Sequence, residues 1–120
     1  CAFFNNAYSG VLMMGNNVSA VTIDNCRFNN NMHFDFTLKG NNITISNCKS
    51  TPISVRLVDE CTGVKVKDSI IDMFQTENFT KSSFSKDIEF DNCYLLYKQI
   101  NHDKFLNVAC QTTYTNCTYR

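Results

Sequence analysis

The hexad VTIDNC at Val21 to Cys26 returns as ITISNC at Ile43 to Cys48, VKVKDS at Val64 to Ser69, IEFDNC at Ile88 to Cys93 and TTYTNC at Thr112 to Cys117. The anchors Cys26, Cys48, Ser69, Cys93 and Cys117 are 22, 21, 24 and 24 residues apart. Similarity at such a period marks a repeat architecture in which each unit buries its apolar face only by stacking on its neighbours. Stepping back 25 residues from Cys26 reaches Cys1, and Phe3 then aligns with Phe28, Ile71, Leu95 and Tyr119, two places after their anchors. The chain thus opens in mid-repeat, and residues 1–120 are expected to be one segment of a longer protein.

Within the hexad, positions one and three are apolar in four copies (Val21/Ile23, Ile43/Ile45, Val64/Val66, Ile88/Phe90), while the fifth has Thr112/Tyr114. Positions two and four are polar throughout. Alternation with a period of two describes a strand with one buried and one wet face. Position five is Asn25, Asn47, Asp68, Asn92 and Asn116. Asn and Asp bond nearby backbone and tolerate left-handed conformations, so this position predicts a turn whose side chains stack from coil to coil.

Equivalent strands every 22 or so residues fit either a parallel β-helix or a leucine-rich-repeat horseshoe. The Leu residues follow no leucine-rich pattern, and no helical return segment is visible. Second apolar strands follow most hexads instead: Phe34/Phe36/Leu38, Ile53/Val55/Leu57 and Phe105/Leu106/Val108. The stretch Asp72 to Lys81, polar and interrupted by aromatics, is expected to be a loop. The fold class is therefore all-β, a single-stranded solenoid of about five coils of 21–25 residues.

Stacking offers an independent check, because residues at one repeat position lie about 4.8 Å apart on neighbouring strands. The outward columns read Thr22, Thr44, Lys65, Glu89, Thr113 and Asp24, Ser46, Lys67, Asp91, Thr115. Two Lys on one strand thus meet Glu89 and Asp91 on the next, a favourable cross-strand arrangement. The hexad with its Asn and Cys resembles the right-handed parallel β-helix of the pectin-lyase-like superfamily. That resemblance covers nearly the whole chain. The superfamily includes polysaccharide lyases, polygalacturonases and the shafts of phage tailspikes and appendages, so it implies a fold more firmly than a function.

Eleven Lys and Arg balance eleven Asp and Glu, which removes any electrostatic case for nucleic acid or an anionic membrane. No apolar stretch approaches the roughly 20 residues that span a bilayer as a helix. Seven Cys invite a metal or disulfide reading. However, no CxxC occurs, and His33 and His102 lie at no zinc-ligand spacing from a Cys, so no metal and no cofactor are expected. Stacked anchors would point in parallel, which favours a ladder of buried reduced thiols; Cys61 and Cys110 fall off that ladder.

Glu89 and Asp91, two apart on one strand face and hence about 7 Å between Cα atoms, are the pair most like the carboxylates of a glycosidase. Lys65 and Lys67 beside them would favour the ionised forms, the reverse of what a general acid requires. The polygalacturonase signatures implied by the resemblance (Asn-Thr-Asp, Asp-Asp, Gly-His-Gly, Arg-Ile-Lys) are absent, and no catalytic residue is assigned. Tyr94, Tyr97, Phe74 and Phe79 could stack on sugar rings if exposed, although core filling is the commoner role of such residues. Sequons at Asn17, Asn42, Asn78 and Asn116 are about as frequent as composition alone would produce, and ligand-binding residues stay unassigned.

The expected role is structural and recognitive: a β-helical segment of a larger virion protein, such as a phage tailspike or appendage, or of an extracellular surface protein. Its expected partners are further copies of itself, in a trimer, or the continuation of its own chain, with polysaccharide as a possible ligand. The alternatives are part of a polysaccharide lyase or glycoside hydrolase, and a secreted adhesin.

Overall fold

The computed structural model describes residues 1–13, 19–32, 34–58, 61–77, 86–96 and 112–119. The hexads form five parallel strands, β3 (Ser19–Asp24), β6 (Asn41–Ser46), β8 (Thr62–Lys67), β10 (Lys86–Asp91) and β12 (Thr112–Thr115), stacked in sequence order into one sheet. Its register aligns the hexads position by position: Val21 with Ile43, Ile45 with Val66, Phe90 with Tyr114. This is the β-solenoid the repeat predicted.

Two further faces complete each coil. Short strands after the anchors, β1 (Ala2–Phe4), β4 (Arg27–Asn29), the first residues of β9 (Ile70–Glu77), β11 (Tyr94–Leu95) and β13 (Thr118–Tyr119), make the second face. Phe3 pairs with Phe28, Ile71 with Leu95 and Leu95 with Tyr119, so Cys1 does occupy an anchor position. The third face carries β2 (Ser9–Met13), β5 (Phe34–Leu38), β7 (Ile53–Val58) and the rest of β9. Among the described residues, all three faces are traced through three successive turns, begun by β3, β6 and β8, with partial turns on either side. The solenoid therefore shows about three full turns rather than five, although five hexads are stacked.

One expectation is corrected. Residues 72–77, assigned to a loop, lie in β9, while 78–81 fall outside the described residues. Register with β7 shifts between Ile53, opposite Ile71, and Ser54, opposite Met73, so Asp72 is the extra residue of a β-bulge at the corner between two faces. Inward residues Ile71 and Phe74 are consequently three apart, which defeats a period-two test. The strand still forms because β7 supplies its backbone hydrogen bonds. The strands expected at Phe34 to Leu38 and Ile53 to Leu57 are β5 and β7; that at Phe105 to Val108 lies outside the described residues.

The second turn has no regular strand on the second face. There Thr51, just before Pro52, substitutes with its side chain: its hydroxyl donates to the Phe28 carbonyl at 2.8 Å and accepts the Phe28 N–H at 3.3 Å. The rung is closed without the ladder bond that Pro, lacking an N–H, cannot donate.

Inward columns from the three faces meet as one core: Ile43, Ile45, Val64, Val66 and Phe90 from the hexads, Phe28, Ile71 and Leu95 from the second face, Phe36, Leu38, Val55 and Leu57 from the third. Each buried side chain of this size contributes about 1.5–3 kcal/mol, several times a surface cross-strand pair, which is why the inward columns set the register. Aromatic rings stack along the axis. Phe3 lies on Phe28 with centroids 5.1 Å apart, Phe90 on Tyr114 at 5.3 Å, and Phe74 meets Phe90 edge-on at 4.9 Å. Phe74 thus fills the core and is not available to a sugar.

Position five makes the turn as expected. Asn25, Asn47, Asp68, Asn92 and Asn116 all have φ between 48° and 54°. Each turn also stays bonded to the next rung: the N–H groups of Asn25, Asn47, Asp68 and Asn92 donate to the carbonyls of Ser46, Lys67, Asp91 and Thr115 at 2.9–3.1 Å. A second left-handed column, not foreseen, precedes the hexads at Ala20, Asn42, Gly63 and Asp87. Asn, Gly and Asp are residues that adopt this conformation readily; Ala20 is not.

Candidate functional site

The anchors line the corner behind the Asn turns. Cys26, Cys48 and Cys93 are buried and Cys117 is half-buried, while Cys1 is exposed; all five are free thiols. Cys26, Cys48 and Cys93 donate to the carbonyls of Asp24, Ser46 and Asp91, each two residues back, at 3.3–3.5 Å. Burial pushes the Cys48 thiol above its ordinary range and that of Cys93 up to about 11, so neither ionises at neutral pH. These groups fill space; thiolate chemistry is closed to them. Cys61, off the ladder, is buried with its Sγ 3.4 Å from the Leu38 carbonyl, and Cys110 lies outside the described residues.

On the outer surface of the hexad sheet the alignment of charges is as read from the columns: Glu89 lies opposite Lys65 and Asp91 opposite Lys67. Lys65 Nζ is 3.7 Å from Glu89 Oε2, with both side chains more than a third exposed. An ion pair this open contributes about 0–1 kcal/mol. The arrangement offers a carboxylate already occupied by its neighbouring cation. One rung system away, Asp24 accepts hydrogen bonds from Ser46 Oγ at 2.7 Å and Asn47 Nδ2 at 2.8 Å, which hold its carboxyl below the ordinary value.

Across the Asn turn the surface is concave. The first outward residue after each anchor forms a column: Ala2, Arg27, Lys49, Ile70, Tyr94, Thr118. Over Ile70, whose two neighbours in that column are Lys49 and Tyr94, lies an open depression of about 240 Å³ lined also by Asp68, Ser69 and Asn92. Tyr94 keeps 38% of its surface exposed. Asn92 Nδ2 donates to Asp68 Oδ1 at 2.7 Å, which fixes both side chains on the rim and turns the second carboxylate oxygen of Asp68 toward other donors. Lys49 makes no ion pair among the described residues. An aromatic face, an apolar floor, an acceptor rim and a cation on one rigid stack suit a polyhydroxylated ring.

A second polar cluster lies on the third face. Asp35 accepts Ser54 N–H and an Asn31 amide proton, both at 2.9 Å, while Asn31 Oδ1 accepts from Asn6 Nδ2 at 2.7 Å. Outside it, the Arg56 guanidinium lies 5.9 Å from the centre of the Phe34 ring and donates to Tyr8 Oη at 3.4 Å. These contacts tie three successive rungs together.

Of the residues singled out by sequence, Tyr94 stands in the depression, Phe74 is buried, and Glu89 and Asp91 lie on the neighbouring face. Tyr97, Phe79, His33 and His102 fall outside the described residues. Lys49, Asp68 and Asn92 were not identified as a site, although the repeat alignment places Lys49 and Tyr94 in one column. Among the described residues, no group of three His, Cys, Asp or Glu converges to hold a metal, and no helix is long and apolar enough to cross a membrane. No protein-family model, curated protein or solved structure matches the chain. What the structure shows is an all-β chain of parallel strands stacked as a β-solenoid.

Proposed function

We propose that this chain is a recognition segment in the β-helical shaft of a larger virion appendage or cell-surface protein, and that it binds a surface glycan as part of a homotrimer. The observation that carries the reading is the depression over Ile70, where Tyr94 presents a partly exposed ring above a floor that the backbone ladder holds fixed. Aromatic faces recognise sugars by packing against their C–H groups while rim acceptors take the hydroxyls, and a prebuilt platform loses little entropy on binding. A site this small binds weakly alone, so repetition in a trimer and along an appendage would supply avidity. Apolar surface for neighbouring copies is available on the first rungs, where Phe4, Leu12 and Met32 are 47%, 55% and 75% exposed.

The test is binding of the protein to immobilised bacterial and host surface polysaccharides, with sedimentation equilibrium for its assembly state. Retention on at least one glycan, lost in Tyr94→Ala with the circular dichroism spectrum unchanged, supports the reading. No glycan retained by a folded protein, or retention indifferent to Tyr94, overturns it.

A further inference from the structure

We infer that the outer face of the hexad sheet is a self-complementary docking surface for a second copy of this chain, packed face to face about a two-fold axis that runs parallel to the strands, between β8 and β10. The inference does not rest on the glycan reading. It concerns a face that neither the depression nor the apolar first rungs use.

The charges of that face are ordered along the stack. β8 presents Lys65 and Lys67, and β10 presents Glu89 and Asp91 at the same two outward positions. A two-fold axis lying midway between two copies, parallel to the strands, keeps each position along the strand and reverses the order of the rungs. Lys65 and Lys67 of one copy then face Glu89 and Asp91 of the other, and the same pairing recurs with the copies exchanged, which is the condition for an isologous contact. The flanking rungs obey the same symmetry. β6 presents Thr44 and Ser46, β12 presents Thr113 and Thr115, and the axis brings these hydroxyls opposite one another. Over four rungs no charge meets its like. Centring the axis on β8 instead would set the Lys pair against itself, and centring it on β10 would do the same to the acids, so charge selects the register.

The spacing suits the contact. Aligned sheets pack about 10 Å apart, a gap that an extended Lys and an acid reaching from opposite sides can close. Lys65 and Glu89 are joined within one copy at 3.7 Å, with both side chains more than a third exposed. An ammonium has three donors and a carboxylate several acceptor sites, so both keep capacity for a partner. Lys67 and Asp91 lie opposite each other yet form no ion pair among the described residues, which leaves their charges for the second copy. Four rungs of outward side chains cover on the order of 300 Å² per copy, against about 800 Å² in a standard interface. The pairing is therefore weak, sensitive to salt, and strengthened where copies are tethered near one another.

The experiment is carbodiimide cross-linking of an equimolar mixture of isotope-labelled and unlabelled protein, read by mass spectrometry of the linked peptides, beside sedimentation equilibrium at low and high salt. Association with a dissociation constant on the order of 0.1–1 mM is expected at low salt, weakened about tenfold or more at high salt. Links between Lys67 and Asp91 should join labelled to unlabelled peptide. The double variants Lys65→Glu with Lys67→Glu, and Glu89→Lys with Asp91→Lys, should each fail to self-associate and should pair when mixed, because one face is then wholly acidic and the other wholly basic. Where a swapped variant loses the parental circular dichroism spectrum, Lys67→Gln replaces it and should weaken the parental association severalfold. Absence of association at millimolar concentration and low salt overturns the inference. So do links confined to peptides of one isotope, or association indifferent to salt and to these substitutions.

Discussion

Ser69 Oγ accepts the backbone N–H of Cys48 at 3.1 Å and donates to the carbonyl of Lys67 at 2.7 Å, so the one hydroxyl in the anchor ladder has a partner on each side. A buried hydroxyl is tolerated in an apolar corner only when both its functions are met. Ser69 is 2% exposed and meets them. Ser69→Ala leaves the Cys48 N–H buried without an acceptor and is expected to cost about 1–3 kcal/mol in urea denaturation. Ser69→Cys restores the residue found at the other anchors and should cost less than Ser69→Ala. If the alanine variant is as stable as the parent, the Cys48 contact has no energetic weight.

The thiols should separate by burial. At pH 8, Cys1 is expected to react promptly with a maleimide or with a chromogenic disulfide, while Cys26, Cys48 and Cys93 stay protected until the protein is unfolded, because their sulfurs are buried away from the reagent. Prompt reaction of Cys93 in the folded protein would show the corner to be open.

Stability should fall at both ends of the pH scale for identified reasons. Cys93 has its folded value raised from 9.0 to about 11, so its contribution is fully present below pH 9 and is lost as pH rises through 11. Asp24 is shifted the other way. Its carboxyl is held below 3.8 by Ser46 and Asn47, so its contribution is present above that pH and lost as pH falls through the lowered folded value. Cys93→Ser should flatten the alkaline limb, and Asp24→Asn the acid limb, of a melting-temperature profile against pH.

Ala20 sits at φ 56° in a column otherwise made of Asn42, Gly63 and Asp87. A left-handed alanine costs about 1–2 kcal/mol, part of which glycine returns through the greater freedom of its unfolded chain. Ala20→Gly is therefore expected to stabilise the protein by about 0.5–1 kcal/mol. The converse change, Gly63→Ala, should destabilise it, since the added Cβ would lie 2.7 Å from Asn42 Oδ1 at φ 73°. A melting temperature lowered by Ala20→Gly would contradict this.

Glu89→Gln removes an exposed ion pair with Lys65 and should change stability by no more than about 1 kcal/mol. The same substitution in the intact protein should leave any glycan depolymerisation unaltered. Loss of such activity in a folded Glu89→Gln protein would assign Glu89 a catalytic role.

The hexads carried the fold because their information is local. Alternating apolar residues such as Ile43 and Ile45 choose a face within one strand, and Asn47 makes its own turn, so neither depends on distant partners to be recognised. The identity of Cys1 as an anchor and the pairing of Lys65 with Glu89 followed by counting alone. What the chain could not announce depends on the neighbouring rung. Asp72 became a bulge because β7 fixes the register of β9, and the alternation was lost there even though the strand was not. Thr51 was unremarkable until its hydroxyl was found closing the rung of Phe28. Ala20 took a left-handed conformation that its own side chain disfavours, because the column above it required one. The depression between Lys49 and Tyr94 belongs to no single repeat. Its residues are common ones at ordinary positions, and they become a site only where three successive coils place a cation, a floor and a ring in line.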